Sequence, residues 1–227
     1  MANDIEKSGQ YFRELFPFWN ELPDDDKELI LRAVVNRSYK KGENVHGGDG
    51  KCTGMIFVES GCLRVYMLSE EGREITLYRL NAGDFCTLSA SCVIQSITFD
   101  VMVDAEEDSD CLILNGGVMS ELSERDLRVK NFFLEAAVER FSDVMWVMQQ
   151  ILFMSFDKRL AIFLLDETSK TGGDVVHLSN EQIAKYMGSA REVVSRMMKY
   201  FTSEGIAERR RDGIHILDRA KLRRLAM

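Results

Sequence analysis

The stretch from residue 178 to 217 constrains the fold of this 227-residue chain more than any other segment. Ser179 is a good helix N-cap, and Gln182 follows three residues later, which is the spacing of a capping box. Gly188 interrupts the helix that this box begins, and a second helix is predicted from about Ala190. Two short helices joined by a tight glycine turn are typical of a helix-turn-helix unit.

The second helix has an apolar face, and a hairpin is predicted beyond it. Its apolar residues recur at helical spacing and predict a buried stripe of Val193, Val194, Met197, Met198 and Phe201. The strands IAERRR and IHIL then flank Asp212-Gly213, a pair favoured in type I′ hairpin turns. Such a hairpin is the wing of a winged helix, and Asp218 predicts the start of a final helix.

The opposite face of the second helix is polar and charged. In a helix-turn-helix unit, the first turns of the second helix reach base edges in the major groove of DNA. Arginine can bond guanine O6 and N7 together, glutamate can accept from cytosine N4, and serine is permissive. The predicted base-reading residues are therefore Arg191, Glu192, Ser195 and Arg196. The competing interpretation is a solvated face with ion pairs, of which Glu192–Arg196 would be one.

A second set of residues suits the phosphate backbone, which adds affinity without sequence information. These predicted phosphate contacts are Ser179, Ser189, Lys199, Arg209, Arg210 and Arg211. Residues 158–227 contain 14 Lys and Arg against 9 Asp and Glu, whereas residues 1–157 contain 15 against 28. A basic C-terminal third on an acidic chain predicts double-stranded DNA as the partner of that third.

Residues 125–153 predict one long helix with two apolar faces. The first face has the 4-3-4-3 alternation of a coiled-coil seam, formed by Leu127, Asn131, Leu134, Val138, Phe141, Met145, Met148 and Leu152. An adjacent stripe consists of Phe133, Ala137, Val144, Val147 and Ile151. We expect one face to pack on the preceding domain and the seam from Leu134 to Leu152 to pair with a second copy, which makes a homodimer. A single wide core face inside a monomer is the alternative.

The segment between residues 37 and 115 is punctuated by glycines at the spacing of an all-β barrel or sandwich. Turns are predicted at Ser60-Gly61 and Glu71-Gly72, and residues 1–30 predict short helices. Five scattered cysteines suit a reducing cytoplasm better than a disulfide scaffold. No apolar run approaches the roughly 20 residues of a membrane span, so no membrane partner is predicted.

The quoted patterns resemble those of the CRP/FNR family, which includes the cyclic-AMP receptor and the fumarate-nitrate regulator. IAKYMGSAREVVSRMMKYFTSEGI and RRRDGIHILDRAKL are similar to its DNA-binding domain, and MIFVESGCLRVY and EEGREITLYRLNAGDF are similar to its β-roll. The resemblance implies an α+β fold with a jelly-roll, cyclic-nucleotide-binding-like β-roll domain over residues 1–120. A dimerisation helix over 121–155 and a winged helix-turn-helix over 156–227 would follow.

The same resemblance implies a dimeric transcription regulator that binds a palindromic operator, with RNA polymerase as a further candidate partner. Glu192, Ser195 and Arg196 form a Glu-x-x-Ser-Arg pattern that resembles the fumarate-nitrate branch, whose half-sites resemble TTGA. Arg191, just before it, is more similar to the cyclic-AMP branch. The predicted half-site therefore contains TGA.

The stretch GDFCTLSASC, residues 83–92, corresponds to the segment that binds the cyclic phosphate in the family's nucleotide binders. Those proteins carry a Gly-Glu pair and an Arg-Ser or Arg-Thr here, whereas this chain has no Lys, Arg or His between Arg79 and Arg125. A buried phosphate without a cationic partner is costly, so we expect no tight binding of cyclic nucleotides. The candidate pocket for an unknown small effector comprises Gly83, Phe85, Cys86, Leu88, Ser89, Cys92 and Met145.

No cofactor and no metal site are predicted. The cysteines lack the close spacing of iron–sulfur ligands, and the histidines His46, His177 and His215 form no metal-binding trio. A cluster built from distant cysteines, or a haem with one Cys or His axial ligand, stays open as a cofactor of a redox- or haem-responsive regulator. Cys86 and Cys92 are interpreted either as small packing residues or as thiols that report oxidation.

An enzyme is the remaining alternative class. A cupin-like metalloenzyme fused to a DNA-binding unit would need clustered His and Glu residues on the strands. The sequence contains no such cluster, so the chain is expected not to be an enzyme.

Overall fold

A computed structural model describes residues 2–47, 53–89 and 101–227 of the chain. Residue contacts divide the chain into two compact units, each with its own hydrophobic core. None of the helices within the described ranges is long and apolar enough to cross a membrane. The expected fold class is confirmed, because a β-roll, one long helix and a winged helix-turn-helix follow one another along the chain.

The first unit comprises Met1–Met67 and Leu77–Asp143 and contains two antiparallel four-stranded sheets. Its helices are α1 (Ala2–Leu15), α2 (Asp24–Ala33), α3 (Gly116–Arg125) and most of α4 (Leu127–Phe153), with a 3-10 turn at Trp19–Glu21. The strands are β1 (Val34–Tyr39), β2 (Asn44–His46), β3 (Met55–Ser60), β4 (Cys62–Leu68), β5 (Glu74–Asn81), β6 (Phe85–Cys86), β7 (Met102–Ala105) and β8 (Ser109–Leu114). The strand orders β1-β8-β3-β6 and β2-β7-β4-β5 bring early and late strands together, as in a jelly roll.

The turn between β3 and β4 lies where the sequence predicts it. Gly61 has a φ of +86°, and a Cβ atom there would lie 2.3 Å from Oγ of Ser109, so glycine is required. The second predicted turn, at Glu71-Gly72, is closed by Ser69, whose N–H donates to the carbonyl of Arg73 at 2.8 Å. Both predicted turns are therefore confirmed.

Stacked and edge-on aromatic rings form the core of the first unit. The ring of Phe57 on β3 lies 5.3 Å from that of Phe12 on α1 and 5.4 Å from that of Phe85 on β6. Phe85 in turn stacks at 5.4 Å on Phe132 of α4, and the neighbouring Phe133 is buried. Each such pair adds about 0.5–1.5 kcal/mol to the burial of its area. The N-terminal part of α4 thus packs on the β-roll, as expected for one of its two apolar faces.

The second unit comprises Leu68–Thr76 and Val144–Met227. Its elements after α4 are α5 (Phe156–Thr171), β9 (Val175–Val176), α6 (Asn180–Met187), α7 (Arg191–Ser203), β10 (Ala207–Arg209), β11 (Ile214–Ile216) and α8 (Arg219–Ala226). The strands form one sheet in the order β10-β11-β9. Ser179 and Gln182 form both hydrogen bonds of the capping box, and Asp218 caps α8. Gly188 ends α6 in the left-handed conformation, so both helix ends agree with the sequence-based prediction.

The predicted type I′ turn of the wing is wrong. A type I′ turn needs positive φ at both central residues, and Asp212 does not have one. Instead, Arg209 pairs with Ile214, which leaves a four-residue loop closed by the N–H of Arg210 donating to the carbonyl of Gly213 at 2.8 Å. The strand pairing ends earlier than the sequence pattern indicates, so the arginines after Arg209 lie in the loop.

Candidate nucleic-acid interface

Helix α7 has a buried face and an exposed face. Val194, Met198 and Phe201 are buried in the core of the second unit, and Val193 and Met197 are half-buried beside them. The predicted apolar stripe is therefore confirmed. Because a helix cannot rotate without exposing such a stripe, the remaining face of α7 is held towards solvent.

Three charged side chains of that exposed face make no bond to other residues that the structure describes. Arg191 and Glu192 lie in the first turn of α7, and Arg196 lies one turn later. Within the described ranges, none of the three side chains makes a hydrogen bond or ion pair. The Glu192–Arg196 ion pair of the competing interpretation is thus not formed. These charges are available to a ligand that lies across the start of α7.

Ser195, the fourth predicted base-reading residue, has a different environment. It is half-buried, and its Oγ accepts a hydrogen bond from Nδ2 of Asn180 at 3.0 Å. Asn180 is the first residue of α6, and the sequence analysis did not identify it. Its polar amide directly after a capping serine was the available signal, but the contact with Ser195 depends on how α6 and α7 pack.

The two serines predicted to contact phosphate lie at the ends of α6. Oγ of Ser179 accepts from the N–H of Gln182 at 3.1 Å, so this hydroxyl already caps the helix. Its proton remains available, since accepting a bond leaves the hydroxyl able to donate. Ser189 follows the turn at Gly188 and is half-buried.

The cationic residues predicted to contact phosphate fall into two groups. Arg209 donates from Nη2 to Oδ1 of Asn180 at 2.6 Å and to the carbonyl of Leu178 at 3.0 Å. Arg210 forms an ion pair with Glu208 at 3.2 Å. By contrast, Lys199 and Arg211 are exposed and make no side-chain bond to any residue that the structure describes.

The candidate effector residues divide between buried and exposed positions. Cys86 and Ser89 are buried, and Oγ of Ser89 donates to the carbonyl of Gly54 at 2.8 Å. Phe85 and Leu88 are half-buried, while Gly83 is exposed in the turn before β6. Met145 belongs to the second unit and is 41% exposed. Cys92 lies outside the described residues.

A cation that the sequence analysis did not identify lies against Tyr78, the residue that approaches Cys86. Tyr78 approaches Sγ of Cys86 with its hydroxyl at 3.9 Å, and burial raises the pKa of that hydroxyl well above its ordinary value. The guanidinium of Arg140 lies 5.0 Å from the centre of the Tyr78 ring. Arg140 comes from α4, so the absence of cations between Arg79 and Arg125 did not reveal it.

The charge of Arg140 already has acidic partners. Its Nη1 lies 2.8 Å from Asp143, and its Nη2 lies 4.0 Å from Asp84. Arg79 on β5 is likewise paired, with Nε at 2.7 Å from Glu106. Both of these arginines are therefore balanced by carboxylates of the protein itself.

The described cysteines are buried free thiols: Cys62, Cys86 and Cys111. Burial raises the pKa of Cys111 to about 12, so its thiol stays protonated and is a poor nucleophile at neutral pH. Among the described residues, no three His, Cys, Asp or Glu side chains are grouped so as to hold a metal ion.

The DNA-binding region and the β-roll each match the model of a known protein family. Residues 158–225 match the model of the Crp-like helix-turn-helix domain, and residues 36–126 match that of the cyclic nucleotide-binding domain. The first match spans α5 to α8, which includes the charged face of α7. The second spans the strands of the β-roll.

Several known proteins are similar to this one over most of its length. A crystal structure of a protein assigned to the crp/fnr family of transcriptional regulators from Eubacterium rectale ATCC 33656 is 45% identical, with a TM-score of 0.89. It covers 94% of this chain and 99% of that one. The transcriptional activator protein anr of Pseudomonas aeruginosa is 27% identical over 89% of this chain and 84% of its own length. The cAMP-activated global transcriptional regulator Vfr of the same organism is 21% identical over 79% of this chain and 87% of its own length. This protein therefore belongs to the CRP/FNR family of DNA-binding transcription regulators.

Proposed function

We propose that two copies of this protein bind an inverted repeat in double-stranded DNA and thereby regulate transcription, with RNA polymerase as a further partner. Residues 1–120 would act as the sensor domain, 121–155 as the dimerisation helix and 156–227 as the DNA-binding domain. The proposal rests on the exposed charged side chains at the start of α7, which make no hydrogen bond or ion pair with any described residue. A protein that acts on chromosomal DNA in this way works in the bacterial cytoplasm.

Sequence recognition is assigned to α7, which we call the recognition helix. Arg196 can bond O6 and N7 of a guanine, and Glu192 can accept from N4 of the cytosine paired with it. Together they suit the single G·C pair of a TGA half-site. Arg191 assists from the first turn, and Ser195 contacts a neighbouring base.

Affinity is assigned mainly to cations around the recognition helix. Lys199 and Arg211 are exposed and have free charges among the described residues, so both suit phosphate oxygens. The other proposed phosphate contacts are Ser179, Ser189, Arg209 and Arg210. Each neutralised phosphate releases counterions, so binding should weaken as the salt concentration rises.

Dimerisation is assigned to the seam of α4. Its six residues Leu134, Val138, Phe141, Met145, Met148 and Leu152 are 41–65% exposed in the single chain. A continuous apolar stripe of this kind is costly in water, and its heptad spacing suits a second α4. A second copy of this chain also accounts for an inverted repeat, because a two-fold axis then relates the recognition helices.

The effector is proposed to be a small molecule other than a cyclic nucleotide. Arg140, whose guanidinium lies against Tyr78, is paired with Asp143 and Asp84, and Arg79, the last cation before the candidate segment, is paired with Glu106. A cyclic phosphate would have to displace these carboxylates or remain without a cationic partner. No cofactor is proposed.

The first prediction concerns the seam. Replacing Phe141 by Asp places two carboxylates opposite each other in an apolar interface, so the dimer should dissociate. Light scattering should then give the chain mass of 26.0 kDa instead of twice that value. Gln149→Asp adds the same charge at an exposed position outside the seam and should leave the dimer intact. A Phe141→Asp protein that remains dimeric would refute the seam.

The second prediction separates base recognition from phosphate contact. On a duplex with inverted TGA half-sites, Arg196→Ala should weaken binding by roughly 10- to 100-fold, with little loss on a duplex that lacks TGA. Arg211→Ala should weaken binding to both duplexes alike and reduce the slope of log affinity against log salt by about 1. Fluorescence anisotropy across a salt series measures both effects.

An equal loss on both duplexes for Arg196→Ala would contradict its assigned role. If the unaltered protein does not discriminate between the duplexes, the proposed TGA half-site is wrong.

The third prediction concerns the sensor domain. Titration calorimetry with cyclic AMP and cyclic GMP should give no binding in the micromolar range, because the neighbouring cations already have acidic partners. Micromolar affinity would contradict this. If it were found, its loss in Arg140→Ala would identify the cation that contacts the phosphate.

A further inference from the structure

Two hydrogen bonds connect the wing to the recognition helix through a residue of α6. Nη2 of Arg209 donates to Oδ1 of Asn180 at 2.6 Å, and Nδ2 of Asn180 donates to Oγ of Ser195 at 3.0 Å. The carbonyl of Leu178 also accepts from Arg209 at 3.0 Å, which holds the guanidinium in place. We call the three side chains the Arg209–Asn180–Ser195 relay.

The direction of each bond in the relay follows from the chemistry of Arg209. A guanidinium only donates hydrogen bonds, so the amide atom of Asn180 that faces it must be the oxygen. The amide nitrogen then faces Ser195, and an amide NH₂ group only donates. Oγ of Ser195 is consequently the acceptor of this bond. Arg209 thereby determines the orientation of an amide whose two ends are otherwise hard to distinguish.

The hydroxyl proton of Ser195 has no acceptor within the described structure. Serine and threonine in helices often donate to the carbonyl four residues earlier, as Thr202 does to Met198 at 2.9 Å. No such bond is formed by Ser195 in the described part of α7. Since Oγ already accepts from Asn180, Ser195 has its proton to offer to a ligand.

We propose that Asn180 and Arg209 are positioning residues that make the Ser195 hydroxyl a hydrogen-bond donor to a base edge. This rests on the proposed function, because it assumes that α7 lies in the major groove. A donated bond suits O4 of thymine, N7 of adenine and O6 or N7 of guanine, whereas N4 of cytosine can only donate. Oγ of Ser195 has two acceptor sites and Asn180 occupies one of them, so a bond from N4 of cytosine is left with a single site. At the position that Ser195 contacts, the protein therefore prefers thymine to cytosine.

The environment of Arg209 separates this role from a simple phosphate contact. The guanidinium of Arg209 donates to the Asn180 amide and to the carbonyl of Leu178, whereas the side chain of Arg211, two residues later, is exposed and makes no bond to any described residue. A residue that only contacts phosphate changes affinity on all sequences alike. A member of the relay instead changes the preference at one base pair.

The test uses the full-length dimer and a set of duplexes that carry every single base-pair change in one inverted-repeat half-site. Ser195→Ala first locates the position at which discrimination depends on this side chain. At that position, Asn180→Ala and Arg209→Ala should each lower the preference for thymine over cytosine by about fivefold, the value of one neutral hydrogen bond. The double variant should lose no more than either single variant, because both act through one hydroxyl.

Asn180→Asp provides a second variant of nearly the same shape. Its carboxylate still accepts from Arg209 but can only accept from Ser195, so the serine proton turns away from the base. The thymine preference should then fall as far as in Asn180→Ala or reverse. Arg211→Ala is the matched control, and it should weaken binding without changing any base preference. Melting temperatures of all variants verify that the fold is retained.

The relay is wrong if Asn180→Ala and Asn180→Asp stay folded and keep the full preference at the Ser195 position. It is also wrong if their losses spread evenly over all duplexes, as for a phosphate contact. Failure of the proposed function gives a different result, namely an unaltered protein that binds no inverted repeat better than random duplex.

Discussion

The burial of one face of α7 is the constraint on which the account depends. Val194, Met198 and Phe201 can leave water only if the opposite face, with Arg191, Glu192 and Arg196, points outward. The apolar stripe therefore orients charged side chains that it does not contact. The capping box at Ser179 and the left-handed Gly188 then fix where α6 ends and α7 begins. The packing of the core thus determines which charged side chains of α7 are exposed and where they lie.

Features that depend on neighbouring residues were predictable from the sequence. The capping box, the turns at Gly61 and Gly188 and the apolar spacing of α4 and α7 each lie within one or two elements, where local physics decides the outcome. The wing turn is the local exception, because pairing of Arg209 with Ile214 ends the strands early and leaves a longer loop. Features that depend on contacts between separate elements were not predictable. Arg140 reaches Tyr78 from α4, and Asn180 reaches Ser195 from α6, and no sequence window contains either contact.

Dimerisation and DNA recognition are physically coupled in this account. One recognition helix offers few base contacts, so a single half-site gives modest affinity. The proposed pairing of two copies through α4 would make the second contact intramolecular, which would raise the overall affinity without any new type of bond. In the proposed function, the exposed seam of α4 and the exposed start of α7 would both contribute to binding one operator. An effector that alters either part would alter the occupancy of the operator.

The dependence of affinity on half-site spacing tests the central claim most directly. The measurement is the dissociation constant of the full-length protein for duplexes whose two inverted TGA half-sites are separated, centre to centre, by about 5 to 15 base pairs. We expect one maximum of affinity near a helical turn, about 10 base pairs, and weak single-site binding where the half-sites face opposite sides of the duplex. An affinity that does not change with spacing would contradict a dimer with two recognition helices on one face of DNA.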